Sequence, residues 1–315
     1  MFALRNFLFA GASLASLAAL TGCASSAPTS EASTEGASEA TSSTADALTT
    51  KTDRFVTVRR DLRRCMAPLC GGYWARELNR DADERYVSSI DLEGAGLDDA
   101  AIESALSAVD ALVLRGRLGP AERRFGTRPF VASDAWRGMP GVAPGCTDAV
   151  YAVTPREPPI ACLVAPCPNE IATRVNTGAT YAFDGVDVAP AARPFVDTAW
   201  LASRVTEHGA LIAASWVQGE HFPGGYAQVL RARQVYVHLP DRVGPCPAAP
   251  VTRCEEGTIA AYRRSEDRCV IQVACVKPAI CPMYLPACAD GYTLASWTGE
   301  SGCAQFACDP LFTAR

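Results

Sequence analysis

Fourteen cysteines and three histidines are the residues of this chain with the widest chemical range. Cysteine can pair, hold a metal or carry a covalent group, and spacing and compartment decide which. Cys65 and Cys70 enclose four residues, as do Cys162 and Cys167, and each loop contains a proline. Eight more cysteines form two sets at nearly matched spacing: Cys246, Cys254, Cys269 and Cys275, then Cys281, Cys288, Cys303 and Cys308. Zinc sites repeat Cys-x2-Cys pairs or recruit histidine, and neither pattern occurs here. Disulfides are therefore expected. The two short loops close most simply as Cys65–Cys70 and Cys162–Cys167. In each later set, a hairpin folding about a polar turn brings the second cysteine to the fourth and leaves the first for the third. The expected pairs are Cys246–Cys269, Cys254–Cys275, Cys281–Cys303 and Cys288–Cys308.

Nothing comparable points to catalysis. His208, His221 and His238 fall in no His-x3-His or His-Glu-x2-His arrangement, and no nucleophile elbow, phosphate loop or dinucleotide fingerprint is present. His208 follows a helical stretch, where a cation suits the helix dipole. Asp91 and Asp187 occupy equivalent places in an internal repeat, which fits a shared turn or cap better than paired catalytic carboxylates. Tyr73, Trp74 and Trp136 could line a carbohydrate or peptide groove, although aromatics on strands more often fill a core. No catalytic residue, metal or cofactor is expected. The chain reads as a non-enzyme, with an extracellular hydrolase as an alternative.

The N-terminus supplies an address. Residues 1–19 carry one positive charge, Arg5, and then an apolar run, the layout of a secretory signal. Leu20-Thr21-Gly22-Cys23 follows and resembles the lipobox of bacterial lipoproteins. That resemblance implies cleavage after residue 22, acylation of Cys23 and attachment to a lipid membrane. Ala24 and Ser25, with no Asp after the cysteine, resemble the outer-membrane sorting pattern, so the expected place is the cell envelope, facing the periplasm or the cell surface. Residues 23–50 are nearly all Ser, Thr, Ala and Glu after the cysteine, too polar to offset the entropy of ordering, and should form a flexible tether. The net charge is −5 and the basic residues are scattered, so no nucleic-acid partner is expected.

Residues 51–240 contain a repeat, 51–140 and 146–240. The two Cys-x4-Cys loops reach Asn79 and Asn176 at the same offset. Ser89-Ile90-Asp91-Leu92 answers Gly185-Val186-Asp187-Val188, and a helical stretch follows each. In the first, Ile102, Leu106 and Val109 lie at helical spacing over residues 98–111 with Asp98 as N-cap; in the second, Pro194 marks the start and Trp200, Leu201 and Val205 supply the apolar face. Two strands close each copy, with Leu112 aligned to Leu211 and Phe130 to Val229. The expected class is α+β, a β-rich duplicated domain of about five strands and one helix per copy, in an order that suits an OB-like barrel. Each disulfide-closed loop is either a structural corner or a rigid recognition loop.

Arg60-Asp61-Leu62-Arg63-Arg64-Cys65, Pro68-Leu69-Cys70-Gly71-Gly72-Tyr73-Trp74 and Ala165-Pro166-Cys167-Pro168 give residues 55–239 a resemblance to an uncharacterised domain family of predicted secreted bacterial proteins. The resemblance implies an architecture and no activity. Where it leads one to expect further cysteines, near residues 79–86, the chain has Asp81-Ala82-Asp83-Glu84, a departure that implies an unpaired Cys146.

Two cysteine modules complete the chain, residues 244–277 and 278–315. Segments of this size cannot build an adequate core without such staples. The combined expectation is a membrane-tethered extracytoplasmic binding or structural protein, with a protein or polysaccharide partner. Protease inhibition through the C-terminal modules is the alternative.

Overall fold

Alternating apolar and polar residues along Arg54–Arg60 and Leu112–Leu118 bury Val56, Val58, Leu112 and Leu114 while turning arginines outward, so both segments form strands. The computed structural model describes residues 48–241, 246, 248 and 252–313. The first half holds strands β1 (Arg54–Arg60), β2 (Tyr73–Glu77), β3 (Arg85–Val87), β4 (Ile90–Asp91), β5 (Leu112–Leu118) and β6 (Phe130–Gly138), with helix α1 (Asp99–Ser107) between β4 and β5. The second holds β7 (Ala149–Pro155), β8 (Glu170–Arg174), β9 (Thr180–Phe183), β10 (Gly185–Asp187), β11 (Leu211–Phe222) and β12 (Gly225–Leu239), with α2 (Thr198–Thr206) between β10 and β11. The chain is β-rich with few helices.

Within the first half, β1 pairs antiparallel with β2 and β5, β2 with β3, and β5 with β6, while β4 pairs parallel with β6. These pairings run in the order β3-β2-β1-β5-β6-β4 over the core of Val56, Leu92, Leu114 and Phe130. In the second half β7 pairs with β8 and β11, β8 with β9, β11 with β12, and β10 parallel with β12. Its core includes Tyr151, Phe183, Trp200, Ile212 and Leu230.

The helices differ in detail from expectation. Asp98 accepts from the Ala101 N–H and starts α1, but the α-helix ends at Ser107, and Val109 lies in a separate 3-10 turn. In the second half the helix starts four residues after Pro194. Phe195 adopts a φ of 65°, which interrupts helical backbone, and Asp197 then caps the amides of Ala199 and Trp200.

Two of the contacts that join the halves engage several backbone groups each. The ends of β6 and β12 pair antiparallel from Gly138 opposite Tyr236 to Ala135 opposite Leu239. The second contact is reciprocal. Asn79, at the end of β2, accepts from the Val150 N–H and donates to the Val150 and Val175 carbonyls at 2.7–3.0 Å. Asn176, at the end of β8, accepts from the Phe55 N–H and donates to the Phe55 and Leu78 carbonyls over the same range. Both asparagines have left-handed backbone, φ 57° and 62°. Asn tolerates that conformation better than most residues, so one residue type serves the turn and the clasp. Phe55, Leu78, Val113, Trp136, Val150, Val175, Leu211 and Tyr236 pack between the halves.

The C-terminal part holds two hairpins, β13 (Ile259–Arg264) with β14 (Val270–Val276) and β15 (Tyr292–Thr298) with β16 (Ala304–Pro310). Disulfides join Cys246 to Cys269, Cys254 to Cys275, Cys281 to Cys303 and Cys288 to Cys308. The hairpins are docked onto the second half. Tyr292 and Cys308 belong to its core, and the Cys308 N–H donates to the Phe195 carbonyl. A buried charge network closes the junction: Arg204 of α2 lies 2.8 Å from Asp241, Arg268 lies 3.5 Å from the same carboxylate, and Arg264 binds Asp309 at 2.6 Å. Burial lowers the Arg268 pKa, and the guanidinium lies over the Trp200 ring at 4.8 Å.

Cys65–Cys70 and Cys162–Cys167 close the two short loops. Cys146 is also disulfide-bonded, and no cysteine among the described residues is free. The expectation of an unpaired Cys146 is thereby corrected: it looked for a partner only near residues 79–86, whereas the other twelve described cysteines pair among themselves and the partner of Cys146 lies outside the described residues. The signal segment and Cys23 lie outside the described residues. Among the described residues no helix is long and apolar enough to cross a membrane.

Removing the clasp on one side should be costly, because Asn79→Ala strips partners from three backbone groups at the junction. A loss of roughly 3 kcal/mol in unfolding free energy is expected from urea denaturation. Asn79→Gly, which suits the positive φ but restores no hydrogen bond, should recover little of it.

Candidate functional site

The carboxylates at equivalent repeat positions have local partners. Asp91 accepts from the Glu93 N–H and Asp187 from the Ala189 N–H, each fixing the 3-10 turn that follows its strand, and Asp187 also pairs with Arg231 at 3.2 Å. The histidines stand on separate elements. His208 lies 3.8 Å from Asp267, His221 packs edge-on against Tyr226, and His238 lies 3.4 Å from Asp134 beside the Trp136 ring. Among the described residues no group of three or more His, Cys, Asp or Glu could hold a metal ion.

Trp136 is buried between the halves and donates to the Gly209 carbonyl, and Tyr73 packs against the first core. Trp74 meets Tyr86 edge-on beneath the Arg63 guanidinium, 4.9 Å above the Trp74 ring. Arg63 in turn donates to both oxygens of Asp61 and holds that carboxyl down at about 2. Tyr86 donates to the Pro68 carbonyl, so these side chains anchor the base of the Cys65–Cys70 loop, whose Met66 and Leu69 are exposed. Leu163 and Val164 are exposed on the Cys162–Cys167 loop, where the Ala165 carbonyl accepts from the Gly224 N–H of the β11–β12 turn.

The clearest asymmetry between the halves lies at one end of each. Val56 of β1 stands opposite Leu114 of β5, and Tyr151 of β7 stands opposite Ile212 of β11. Four residues further along, the strands reach Leu118 in the first half and Trp216 in the second. In the first half this end is filled by the chain itself. Leu48 is 3 % exposed within the core, the Leu118 N–H donates to the Thr49 carbonyl at 3.0 Å, and Arg85 donates to the Leu48 carbonyl. The expected tether therefore ends before Leu48: a leucine whose burial is worth about 1.5–3 kcal/mol orders the segment around it.

In the second half no described segment takes that place. Its end is lined by Tyr181 and Trp216, 42 % and 38 % exposed, over the buried rings of Tyr151 and Phe183. The rings meet edge to face: Tyr181 and Trp216 at 5.6 Å and 66°, Phe183 and Trp216 at 5.8 Å and 87°, Tyr151 and Trp216 at 6.0 Å and 75°. Glu170 of β8 is the register partner of Phe183 and shares its face of the sheet. Its Oε2 is buried with no hydrogen-bond partner, and burial raises the carboxyl pKa above the usual value of 4.5. A part-exposed aromatic pair near one half-buried, under-satisfied carboxylate can take an apolar group flanked by a hydrogen-bond donor.

Residues 54–242 match the model of a family described as a domain of unknown function, DUF6748. The chain belongs to this family. The matched span nearly coincides with residues 55–239, where the sequence resembles an uncharacterised family. An uncharacterized protein of Dictyostelium discoideum is 25 % identical over 258 residues, covering 80 % of this chain and 85 % of its own length. No solved structure matches.

Sequence reading missed Leu48, Glu170, Tyr151, Tyr181 and Trp216. The available signal was a comparison of the copies position by position, in which an aliphatic Leu118 answers to Trp216.

Because the folded state disfavours ionised Glu170, its cost is absent well below pH 4.5 and grows as pH rises through the elevated folded pKa. Glu170→Gln should therefore raise the melting temperature at pH 7, and the gain should shrink toward zero near about pH 4. Thermal unfolding of both proteins at the two pH values checks this.

Proposed function

We propose that this protein is a lipid-anchored extracytoplasmic binding protein whose ligand site is the open end of the second half. The observation that carries the binding reading is that the corresponding end of the first half is filled by Leu48, whereas Tyr181, Trp216 and Glu170 stand exposed or under-satisfied in the second. Anchoring through acylated Cys23 at the cell envelope is supported by the Leu20-Thr21-Gly22-Cys23 motif, the preceding apolar run and the density of disulfides, which persist outside the cytoplasm.

Each half is read as a copy of one OB-like barrel. Support comes from the matching order of pairings in each, with a parallel contact to the last strand and a helix between the fourth and fifth strands, and from the matching clasp residues Asn79 and Asn176. The binding site lies at the end of the second barrel. The stapled hairpins pack beside α2 and serve as its buttress.

A second reading, protease inhibition by the C-terminal modules, has one observation in its favour. Ile280 and Met283 project fully into solvent on either side of the Cys281–Cys303 disulfide, in a proline-flanked segment without regular structure.

Mass spectrometry of the mature protein tests the anchor. The expected N-terminal peptide begins at Cys23 and carries acyl chains, and Cys23→Ala moves the protein from the membrane fraction to the soluble fraction. A mature chain whose Cys23 carries no lipid, or whose Cys23 thiol is found in a disulfide, removes the anchor from the proposal.

A further inference from the structure

We infer that the occupant of the second barrel's open end is an extended peptide segment of a partner protein, which pairs with the edge of β11 and inserts an apolar side chain against Trp216. The inference rests on the binding reading above and adds the chemical class of the ligand.

The first barrel supplies the precedent. There β1 pairs with β5 as far as Arg54 opposite Gly116, and past that point the edge of β5 is taken over by residues 48–50, with the Leu118 N–H bound to Thr49. The occupant is thus a peptide held by a main-chain hydrogen bond to Leu118 and a side-chain bond from Arg85, with one leucine as its anchor. In the second barrel, β7 pairs with β11 as far as Ala149 opposite Ala214. β11 then continues to Phe222 with β12 on one side, and among the described residues no strand pairs with its other edge. An unpaired strand edge is a template for another strand.

Side chains at this edge fit the same mode of recognition. Trp216 meets Tyr181 at 66° and Phe183 at 87°, so these part-exposed rings present edges against which an apolar side chain can pack instead of the flat, open ring face that a sugar stacks upon. Glu170 adds an acceptor beside Phe183, so the favoured ligand carries an N–H donor, from its backbone or from a basic side chain, next to the apolar anchor. Specificity comes from the aromatic pair and Glu170, and affinity from the edge.

The mature full-length protein can be screened against a random heptapeptide display library and a glycan array, alongside Tyr181→Ser and Trp216→Ala. Tyr181 is the more exposed of the two, so Tyr181→Ser keeps the test valid if Trp216→Ala folds poorly. The expected result is a set of peptides sharing one apolar anchor, each losing about tenfold or more in affinity with either variant. Backbone N-methylation beside the anchor should weaken them as well. Glycans bound in a Trp216-dependent manner, with no peptide selected, would overturn the peptide inference and leave the binding reading standing. Ligands of either kind whose binding ignores both substitutions, or no ligand at all, would overturn both.

Discussion

The reciprocal asparagine clasp is the contact on which the arrangement of this domain depends. Asn79 and Asn176 each close a turn that needs left-handed backbone, and each side chain then satisfies the first backbone groups of the other half's leading strand. Phe55 and Val150 are thereby held at equivalent distances from the turns that grip them. A buried strand start would otherwise leave an N–H and a carbonyl unpaired at the junction, at a cost comparable to a lost hydrogen bond for each. With β6 and β12 paired alongside, neither half can rotate without breaking both contacts.

The stapled hairpins extend this fixed frame. Their own cores are small, and the junction with α2 is polar at its centre: Arg204 and Arg268 lie over the Trp200 ring and face Asp241 and Asp267, while Arg264 lies over the Trp297 ring and pairs with Asp309. Buried ion pairs of this kind contribute less to net stability than to geometry, because desolvation offsets much of their attraction, while loss of one partner leaves a stranded charge. They set how the hairpins lie on the second half. Disulfides close the hairpins internally, and Tyr292 and Cys308 complete the hydrophobic side of the joint.

Much of the scaffold was legible in the sequence, and the reasons are physical. A β-rich chain with few helices and C-terminal disulfide pairs follows from alternation and cysteine spacing, and the offset from the short cysteine loops to Asn79 and Asn176 already marked two residues under the same constraint. The alignment of the later strands was less secure. Matching Leu112 to Leu211 is one residue out of step with the pairing, which sets Leu114 level with Ile212; in a strand such a slip exchanges the buried and exposed faces. That slip hides the correspondence of Leu118 with Trp216. The ordering of Leu48 was hidden for another reason: a single leucine in a Ser/Thr/Ala segment carries no periodic signal, and only the packed core of the first half gives it a place. Glu170 reads as an ordinary strand residue until its missing partner is seen.

The two halves thus differ at one end, which the chain fills itself in the first half and which no described segment fills in the second. Native-state amide hydrogen exchange on the ligand-free protein tests that difference directly. The account predicts that the Leu118 amide, bound to Thr49, exchanges only with global unfolding, while amides on the outer edge of β11 beyond Ala214 exchange orders of magnitude faster. Equal, strong protection at both edges would contradict it.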